Sequence, residues 1–211
     1  MKQSLDVFFR GSRPYIQGSL ILSQAAVVAQ QWWQATTLSA SKFSEIVESS
    51  VWVSDEKSEA DSFGEATFSD GQGNNHRMYF FIDSGTPPPR HPDRGSCLTQ
   101  FETDGDLNTR SEFEIEPNPD DLLAAIVETT KTAHEKLPGD IRDVWFTGFR
   151  GADIPISPER IAPSGAIHLE CRMHRGKGQQ YQTLFAATVE SADGEYEFLL
   201  SFAYKNLASE N

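Results

Sequence analysis

A segment that is apolar on almost every side follows a glycine- and proline-bearing loop near the start of the chain. A helix that lies on a surface has one apolar stripe, whereas a helix that is apolar nearly all round must be buried. The sequence therefore predicts a buried helix from Ser19 to about Trp33, enclosed by other elements. Its apolar residues are Leu20, Ile21, Leu22, Ala25, Ala26, Val27, Val28 and Ala29.

After this helix the first half of the chain predicts strands and one extended linker. The segment Asp70–Asn75 is typical of a hairpin turn. The prolines Pro87, Pro88 and Pro89 exclude residues 84–94 from a sheet interior and predict a linker there. The predicted strands of this half are residues 45–54, 62–69 and 77–83.

The second half predicts a similar succession of strands around one helix. Pro119 and the acidic pair Asp120 and Asp121 are typical of a helix start, and Pro138-Gly139 of a stop, so we expect a helix that ends near Lys136. Asp120 is the expected N-cap of this helix. The predicted strands are residues 98–103, 109–116, 143–150, 166–175, 180–190 and 196–204. The pattern predicts an α+β fold.

Charge and composition exclude several classes of function. The 31 acidic and 18 basic residues give a net charge of −13, which argues against nucleic acid or an anionic membrane as a partner. We see no signal peptide and no apolar run of the roughly 20 residues that span a bilayer. Cys97 and Cys171 match no metal or redox spacing and are expected to be reduced thiols of a cytoplasmic protein.

No metal or other cofactor is expected. His168 and His174 share a predicted strand with Glu170, but along a strand the two histidines lie about 20 Å apart, too far for one zinc ion. A solvated strand face is the better interpretation. Motifs for a hydrolase elbow, a phosphate loop or a zinc protease are also absent from the sequence.

The segment from Phe8 to Ser23 resembles the active-site segment of the hotdog-fold 3-hydroxyacyl-thioester dehydratases, F-F-x-G-H-F-P-G-x-P-x-M-P-G-V-L-x-x-E-A. Ser12 stands where the family has its catalytic histidine, Ser23 corresponds to the family's glutamate, and three loop residues are missing. Both proton-transfer groups are therefore absent. The frame of the motif remains in Phe8, Phe9, Gly11, Pro14, Gly18, Leu20 and Leu22.

Residues 149–204 also resemble the later strands of this family and end in Ser201-Phe202-Ala203-Tyr204. The opening and closing motifs are separated by more chain than one hotdog unit contains. The resemblance therefore implies a double hotdog, in which two long buried helices are each wrapped by a curved antiparallel β-sheet. The implied units are residues 1–95 and 96–211, as in tandem-hotdog proteins of natural-product biosynthesis.

The resemblance implies an enzyme that processes acyl thioesters carried on coenzyme A or an acyl carrier protein, in a specialised fatty-acid or polyketide-like pathway. Without the histidine and glutamate, acyl transfer, condensation, cyclisation or hydrolysis is expected rather than dehydration. An alternative is a non-catalytic dehydratase homologue that binds an acyl chain or a partner subunit, and a homodimer is compatible with either. An unrelated closed β-barrel that binds a lipid or pigment is a third interpretation.

The helix entrance supplies the first candidate site residues. In the family, backbone N–H groups at the helix N-terminus hold the thioester carbonyl, and Gly18 and Ser19 match this position. The alternative is that Gly18 is only a turn residue before the helix. Arg13 could bind a carboxylate or a phosphate of the carrier arm. Tyr15 could donate a proton, although an aromatic ring packed on the core is the more common role. Ser12 and Ser23 would line the substrate site.

The second helix supplies two candidate acids. Many hotdog thioesterases use an acid near the start of a buried helix to activate water, and Asp121 or Glu128 would match that role. Glu128 is flanked by Ile126 and Val127, so inward burial would raise its pKa. Against this, acids in the first turn of a helix are favoured by the helix dipole alone.

Overall fold

The computed structural model describes residues 1–58, 61–85, 87–191 and 194–208. Its α-helices are α1, Gly18–Trp33, and α2, Pro119–Glu135, and a 3₁₀ turn lies at Pro158–Arg160. The strands are β1 Lys2–Ser4, β2 Phe9–Arg10, β3 Ala35–Phe43, β4 Ser50–Ser54, β5 Gly64–Asp70, β6 Asn75–Asp83, β7 Arg90–His91, β8 Leu98–Thr103, β9 Thr109–Glu114, β10 Ile141–Pro155, β11 Ser164–Lys177, β12 Gln180–Ser191 and β13 Gly194–Asn206.

One antiparallel sheet of 11 strands contains most of the chain. Its order is β1-β4-β6-β5-β3-β10-β13-β12-β11-β9-β8. Strands from residues 1–95 occupy one side of this order and strands from residues 96–211 the other. The short strands β2 and β7 form a separate parallel pair.

The two halves of the sheet meet where β3 pairs with β10. Gly148 lies opposite Lys42, and Phe149 lies opposite Ser41. Gly148 has a φ of +144°, and a Cβ at this position would lie 2.2 Å from the carbonyl oxygen of Ser41. Only glycine allows the two backbones to approach this closely.

The two halves do not repeat each other strand for strand. Strands β11, β12 and β13 pair as successive neighbours, whereas β4 pairs with β6 instead of with β5. Since β4 and β5 are each antiparallel to β6, they run in the same direction. The chain between them must therefore return along the sheet before β5 begins.

Helix α1 confirms the predicted buried helix. Nine of its 16 residues are buried, and Val27 is exposed by 44%. It ends at Gln34, which has a left-handed φ of 52° and donates its backbone N–H to the carbonyl oxygens of Ala29 and Gln30. Both helices contact β10 and each other.

Helix α2 begins two residues earlier than expected. Asn118, and not Asp120, is the N-cap, because the Asn118 side chain accepts the backbone N–H of Asp121 at 2.9 Å. Pro119 occupies the first helical turn, as predicted. The side chain of Asp120 is thereby left free for contacts with other elements.

Aromatic rings join the two halves below the sheet. Phe43 of β3 contacts Phe146 of β10 with ring centroids 5.9 Å apart, and Phe146 contacts Phe202 of β13 at 5.7 Å. These rings are among the buried residues of a single core that includes residues of both helices. Aromatic pairs in this arrangement contribute beyond their buried area.

The structure differs from the predicted strands in several places. The sequence does not predict the short strands β1, β2 and β7, and β7 lies in the segment expected to be a linker. Strand β3 was not expected, because Thr, Ser and Lys alternate with its apolar residues and weaken the strand signal. The strand expected at residues 45–54 is shorter in the structure and consists of β4 alone. Val47, in the loop before β4, forms an isolated β-bridge with Ile16. No helix in the described part of the chain is long and apolar enough to cross a membrane.

Gly148→Ala is expected to lower the free energy of unfolding by about 2–4 kcal/mol, because the added Cβ would clash with Ser41 and strain the backbone. Urea unfolding would measure the loss. Gly71→Ala is the matched control, since a Cβ there would meet no atom within 4 Å. Equal stability of the two variants would contradict the close approach of β3 and β10.

His134 makes stability depend on pH. It is fully buried, its Nδ1 donates to the carbonyl oxygen of Thr130 at 2.7 Å, and its Nε2 accepts from the Thr183 hydroxyl at 2.8 Å. Burial lowers its pKa from 6.5 to about 4. Since the unfolded chain binds the proton first, stability is expected to fall by about 2–3 kcal/mol as pH drops from 7 to 4.5.

Urea unfolding of the parent and of His134→Gln across this pH range would measure the effect. The variant is expected to be less stable at pH 7 but to have a shallower pH dependence. His91→Gln removes an exposed imidazole and should follow the parental profile. A variant His134→Gln with the parental slope would show that other groups cause the acid sensitivity.

Candidate functional site

The loop before α1 is held at both ends by a segment that follows β6 in the chain. Strand β2 pairs with β7, and Arg90 of β7 donates to the carbonyl oxygens of Gly11 and Arg13. Arg13 donates in turn to Asp93 at 2.9 Å. The loop expected to carry the active site is therefore fixed by backbone and charged contacts.

Gly18 is the first residue of α1, and aromatic rings lie on the side of it where a Cβ would be. A Cβ on Gly18 would lie 3.0 Å from the ring of Phe146 and 3.2 Å from that of Phe43. The glycine therefore makes room for the core at the side where its Cβ would lie. Replacement by valine would disturb packing, so it cannot by itself report on substrate approach.

Gly18 nevertheless borders a small cavity of about 30 Å³. This volume is enough for about one water molecule and not for an acyl chain. We call it the Lys131 cavity, after the cationic residue on its wall. Its lining includes Tyr15, Gln17, Gly18, Val127, Lys131 and Trp145.

Lys131 of α2 and Tyr15 line this cavity, and the pKa of each side chain is shifted from its usual value. The Lys131 Nζ lies 6.0 Å from the centre of the Tyr15 ring. Burial, followed by the positive charge of Arg13, lowers the pKa of Lys131 from 10.5 to about 8, although Glu135 and Asp93 oppose this shift. Burial raises the pKa of the Tyr15 hydroxyl. A protonated phenol and an amine that titrates near neutral pH therefore lie side by side.

A charged cluster connects the first half of the chain to α2. Arg10 donates to Asp120 at 2.5 Å, and Arg94 also contacts Asp120 at 3.4 Å. Arg94 binds Asp121 as well. Arg10 is only 6% exposed, whereas the Asp120 side chain is 27% exposed, so the pair is partly buried. We call Arg10, Arg94, Asp120 and Asp121 the interhelix ion cluster.

Ser23 attaches α1 to this cluster. Its Oγ lies 2.9 Å from the carbonyl oxygen of Leu20 and 3.2 Å from Oδ1 of Asp120. Ser23 is buried, and its hydroxyl is directed at a carboxylate of the other helix. The position that corresponds to the family's glutamate is therefore a helix-to-helix contact.

Asp121 and Glu128, the two candidate catalytic acids of α2, both already have hydrogen-bonding or ionic partners. Asp121 binds Arg94 and accepts the backbone N–H of Glu116 at 3.2 Å. Glu128 accepts the backbone N–H of Cys97 at 3.1 Å. Burial raises the pKa of the Cys97 thiol, so that thiol is not activated as a nucleophile.

A second space, of about 240 Å³, adjoins the Lys131 cavity. The two spaces share Gln17, Val127 and Lys131. We call this second space the arginine cleft, because Arg10, Arg13 and Arg94 line it. Ser19, which is buried, also lines the arginine cleft, whereas Ser12 is exposed and lines neither space.

The structure thus gathers Arg13, Tyr15, Gly18, Ser19 and Glu128 around two adjoining spaces. Sequence reasoning missed Arg10, Arg94, Asp120 as an ion-pair partner, and Lys131. Arg10 precedes Gly11 at a position that the motif leaves unspecified, so the motif gave no signal for it. Lys131 is a single lysine on an amphipathic helix, and its sequence position alone does not show that it is partly buried at the edge of a cavity.

The described residues contain no group of three or more histidine, cysteine or acidic side chains arranged to hold a metal ion. His174 instead contacts the Tyr204 hydroxyl at 2.5 Å, and His168 lies 3.4 Å from Glu190. These contacts occur on the strands β11 to β13, away from both spaces.

Comparison with models of protein families and with curated protein sequences finds no match. Solved structures do match over nearly the whole chain. A hotdog-fold protein of unknown function from Alicyclobacillus acidocaldarius is 11% identical, with a TM-score of 0.52, and the match covers 98% of this chain and 92% of that one.

Two further matches have similar values. The TesB protein of Mycobacterium avium subspecies paratuberculosis is 13% identical with a TM-score of 0.52, covering 95% of this chain and 91% of that one. The dehydratase domain of the curacin polyketide synthase is 9% identical with a TM-score of 0.51, covering 91% and 83%. Together with the two helices packed on one large antiparallel sheet, these matches show that the chain has the hotdog fold.

Proposed function

We propose that the chain is a double hotdog, with units at residues 1–95 and 96–211 and a sheet curved around each helix. Five strands of the large sheet come from the first segment and six from the second, and the segments join at β3 and β10. Helix α1 contacts β3 and β5, whereas α2 contacts β8, β9 and β11. Apart from β10, which both helices contact, each helix thus has its own set of strands. Because the two segments belong to one chain, β3 and β10 pair with each other and neither is left as an exposed sheet edge.

We further propose that the chain is an enzyme that processes acyl thioesters carried on coenzyme A or an acyl carrier protein. The observation that carries this proposal is that Lys131, Tyr15 and the N-terminus of α1 line one cavity. A helix N-terminus offers unpaired N–H groups that can hold a carbonyl oxygen as negative charge develops on it. Lys131 offers a proton acceptor and Tyr15 a donor next to that position.

In hydrolysis or acyl transfer, the thioester carbonyl oxygen would accept a hydrogen bond from the backbone N–H of Gly18, which lines the Lys131 cavity, whereas Ser19 lines the arginine cleft. The free amine of Lys131 would take a proton from water, or from an acceptor hydroxyl or amine, as that group adds to the carbonyl carbon. The carbon–sulfur bond then breaks, and the proton on Lys131 passes to the leaving thiolate. The phenol of Tyr15 would hydrogen-bond to the developing oxyanion.

Dehydration is not favoured by this arrangement. The residues that line the two spaces include no histidine, and Ser23, at the position of the family's glutamate, is bound to Asp120. Acyl transfer, condensation, cyclisation or hydrolysis therefore remains the proposed class of reaction. Structural similarity to a polyketide dehydratase domain and to a TesB protein supports a pathway that processes acyl chains.

A non-catalytic role is the second candidate. It is favoured by the small volume of the Lys131 cavity and by the contacts that already occupy Asp121 and Glu128. In this case an acyl chain or a partner subunit would be bound without turnover. Thioester consumption by the parent protein separates the two candidates.

Lys131→Met is expected to lower kcat/KM by about 10²- to 10⁴-fold, because the side chain keeps its length but loses the amine. Thiol release from a panel of acyl-coenzyme A and acyl-carrier substrates would measure turnover. Lys57→Met, at an exposed loop position, is the control and should retain the parental rate.

The pH dependence gives a second readout for Lys131. Since the free amine is the active form, the parental rate is expected to rise with pH through about 8 and then level off. The rise should be absent from any residual activity of Lys131→Met. A parental rate that falls over the same range would show that the protonated form is required instead.

Tyr15→Phe and Glu128→Gln test which polar groups take part in the reaction. Tyr15→Phe is expected to lower kcat about 100-fold by removing a donor to the oxyanion. Glu128→Gln should change kcat by only a few-fold, because an amide oxygen can still accept the N–H of Cys97. Steady-state kinetics would measure both, and a larger loss in Glu128→Gln would assign the acid role to Glu128.

A further inference from the structure

Arg10 has one guanidinium nitrogen without a partner in a nearly water-free position. Its Nη2 binds Asp120, whereas its Nη1 is buried and has no hydrogen-bond partner among the described residues. Arg10 as a whole is only 6% exposed. A buried donor of a charged group left unpaired is costly, so such a position indicates an absent acceptor.

The space next to Arg10 is suited to such an acceptor. Arg10 lines the arginine cleft together with Ser19 and Gln17 at the N-terminus of α1. The Gln17 side chain does not cap the helix, and the first turn of α1 has no acidic residue. The N-terminus of α1 and the Arg10 side chain therefore border one space, and unpaired backbone N–H groups beside a positive charge favour anions.

The charges around the cleft favour a singly charged anion. Arg10, Arg13, Arg94 and Lys131 line the cleft, against Asp93, Glu128 and Glu135, and the carboxylate of Asp120 lies behind Arg10. The surrounding acids would repel a phosphate, which carries nearly two charges at neutral pH, more strongly than a carboxylate. A planar carboxylate is also the natural partner of a guanidinium edge.

We propose that the arginine cleft binds a carboxylate group of a small organic acid or acyl chain, held by Nη1 of Arg10 and the backbone N–H of Ser19. The binding site itself does not depend on turnover. In combination with the acyl-thioester activity proposed above, on which this extension rests, it would select acyl chains that carry a free carboxylate.

Butyrate is a suitable probe, and butyramide is its uncharged counterpart of nearly equal shape. Titration of the ¹⁵N-labelled protein with each, at constant ionic strength set with chloride, would follow the backbone amides of Gly18 and Ser19. Butyrate is expected to shift these signals with saturation, and butyramide at least tenfold more weakly. Similar affinities for the two probes would overturn the proposal.

Two substitutions connect the binding to Arg10. Arg10→Lys keeps a positive charge for Asp120 but removes the unpaired nitrogen, so butyrate affinity is expected to fall about tenfold or more while the fold is retained. Arg110→Lys, on an exposed strand and paired with Glu112, is the matched control and should bind as the parent does. Parental affinity in Arg10→Lys would overturn the assignment to Arg10.

Asp120→Asn provides a change in the opposite direction. Loss of the competing carboxylate should increase butyrate affinity several-fold, because Arg10 then keeps its full charge for the ligand. Unchanged or weaker binding in a folded Asp120→Asn protein would contradict the proposal. Phosphate that binds more tightly than butyrate would identify a phosphate site instead, and butyrate binding without any thioester turnover would reject only the enzymatic function.

Discussion

Backbone pairing between β3 and β10 is the contact on which the arrangement of the two halves depends. It turns five strands of residues 1–95 and six strands of residues 96–211 into one sheet. The pairing requires Gly148, because any side chain there would strike the carbonyl of Ser41. Rings of Phe43 and Phe146 pack beside the same junction, so hydrogen bonding and apolar burial support each other there. As a result α1 and α2 lie in contact, and residues distant in sequence share a site.

The interhelix ion cluster is a consequence of that contact and has two effects. It places Asp120 against Arg10, two residues 110 positions apart in the chain. A partly buried ion pair contributes little net stability because both charges lose water, but removal of one partner leaves the other uncompensated. The cluster therefore fixes how the helices meet more than it strengthens the fold. It also engages the carboxylates of Asp120 and Asp121 with arginine side chains.

The pKa values of Lys131 and Tyr15 in the site are shifted mainly because these side chains are partly removed from water. Carboxylates of α2 are matched with guanidinium groups or backbone N–H groups, whereas Lys131 lies beside Arg13 and an aromatic ring. The same helix thus carries engaged acids at its start and an amine with a lowered pKa about three turns later. With a pKa of about 8, the Lys131 amine can exchange protons close to neutral pH. This is the physical reason to assign Lys131 a role that the dehydratase motif does not contain.

The sequence by itself determined both helices, the hairpin β5–β6, most strands of the second half and the hotdog character of the fold. These features depend on local periodicity, on turn residues and on a glycine-proline frame, all of which can be read within short windows. Tertiary structure alone decided the pairing of β4 with β6, the presence of the polar strand β3, the packing of Gly18 against aromatic rings and the partial burial of Lys131. It also decided that Asp120 binds Arg10 while Asn118 caps the helix. Each of these depends on contacts between distant segments, and short-range patterns carry no information on which distant groups will meet.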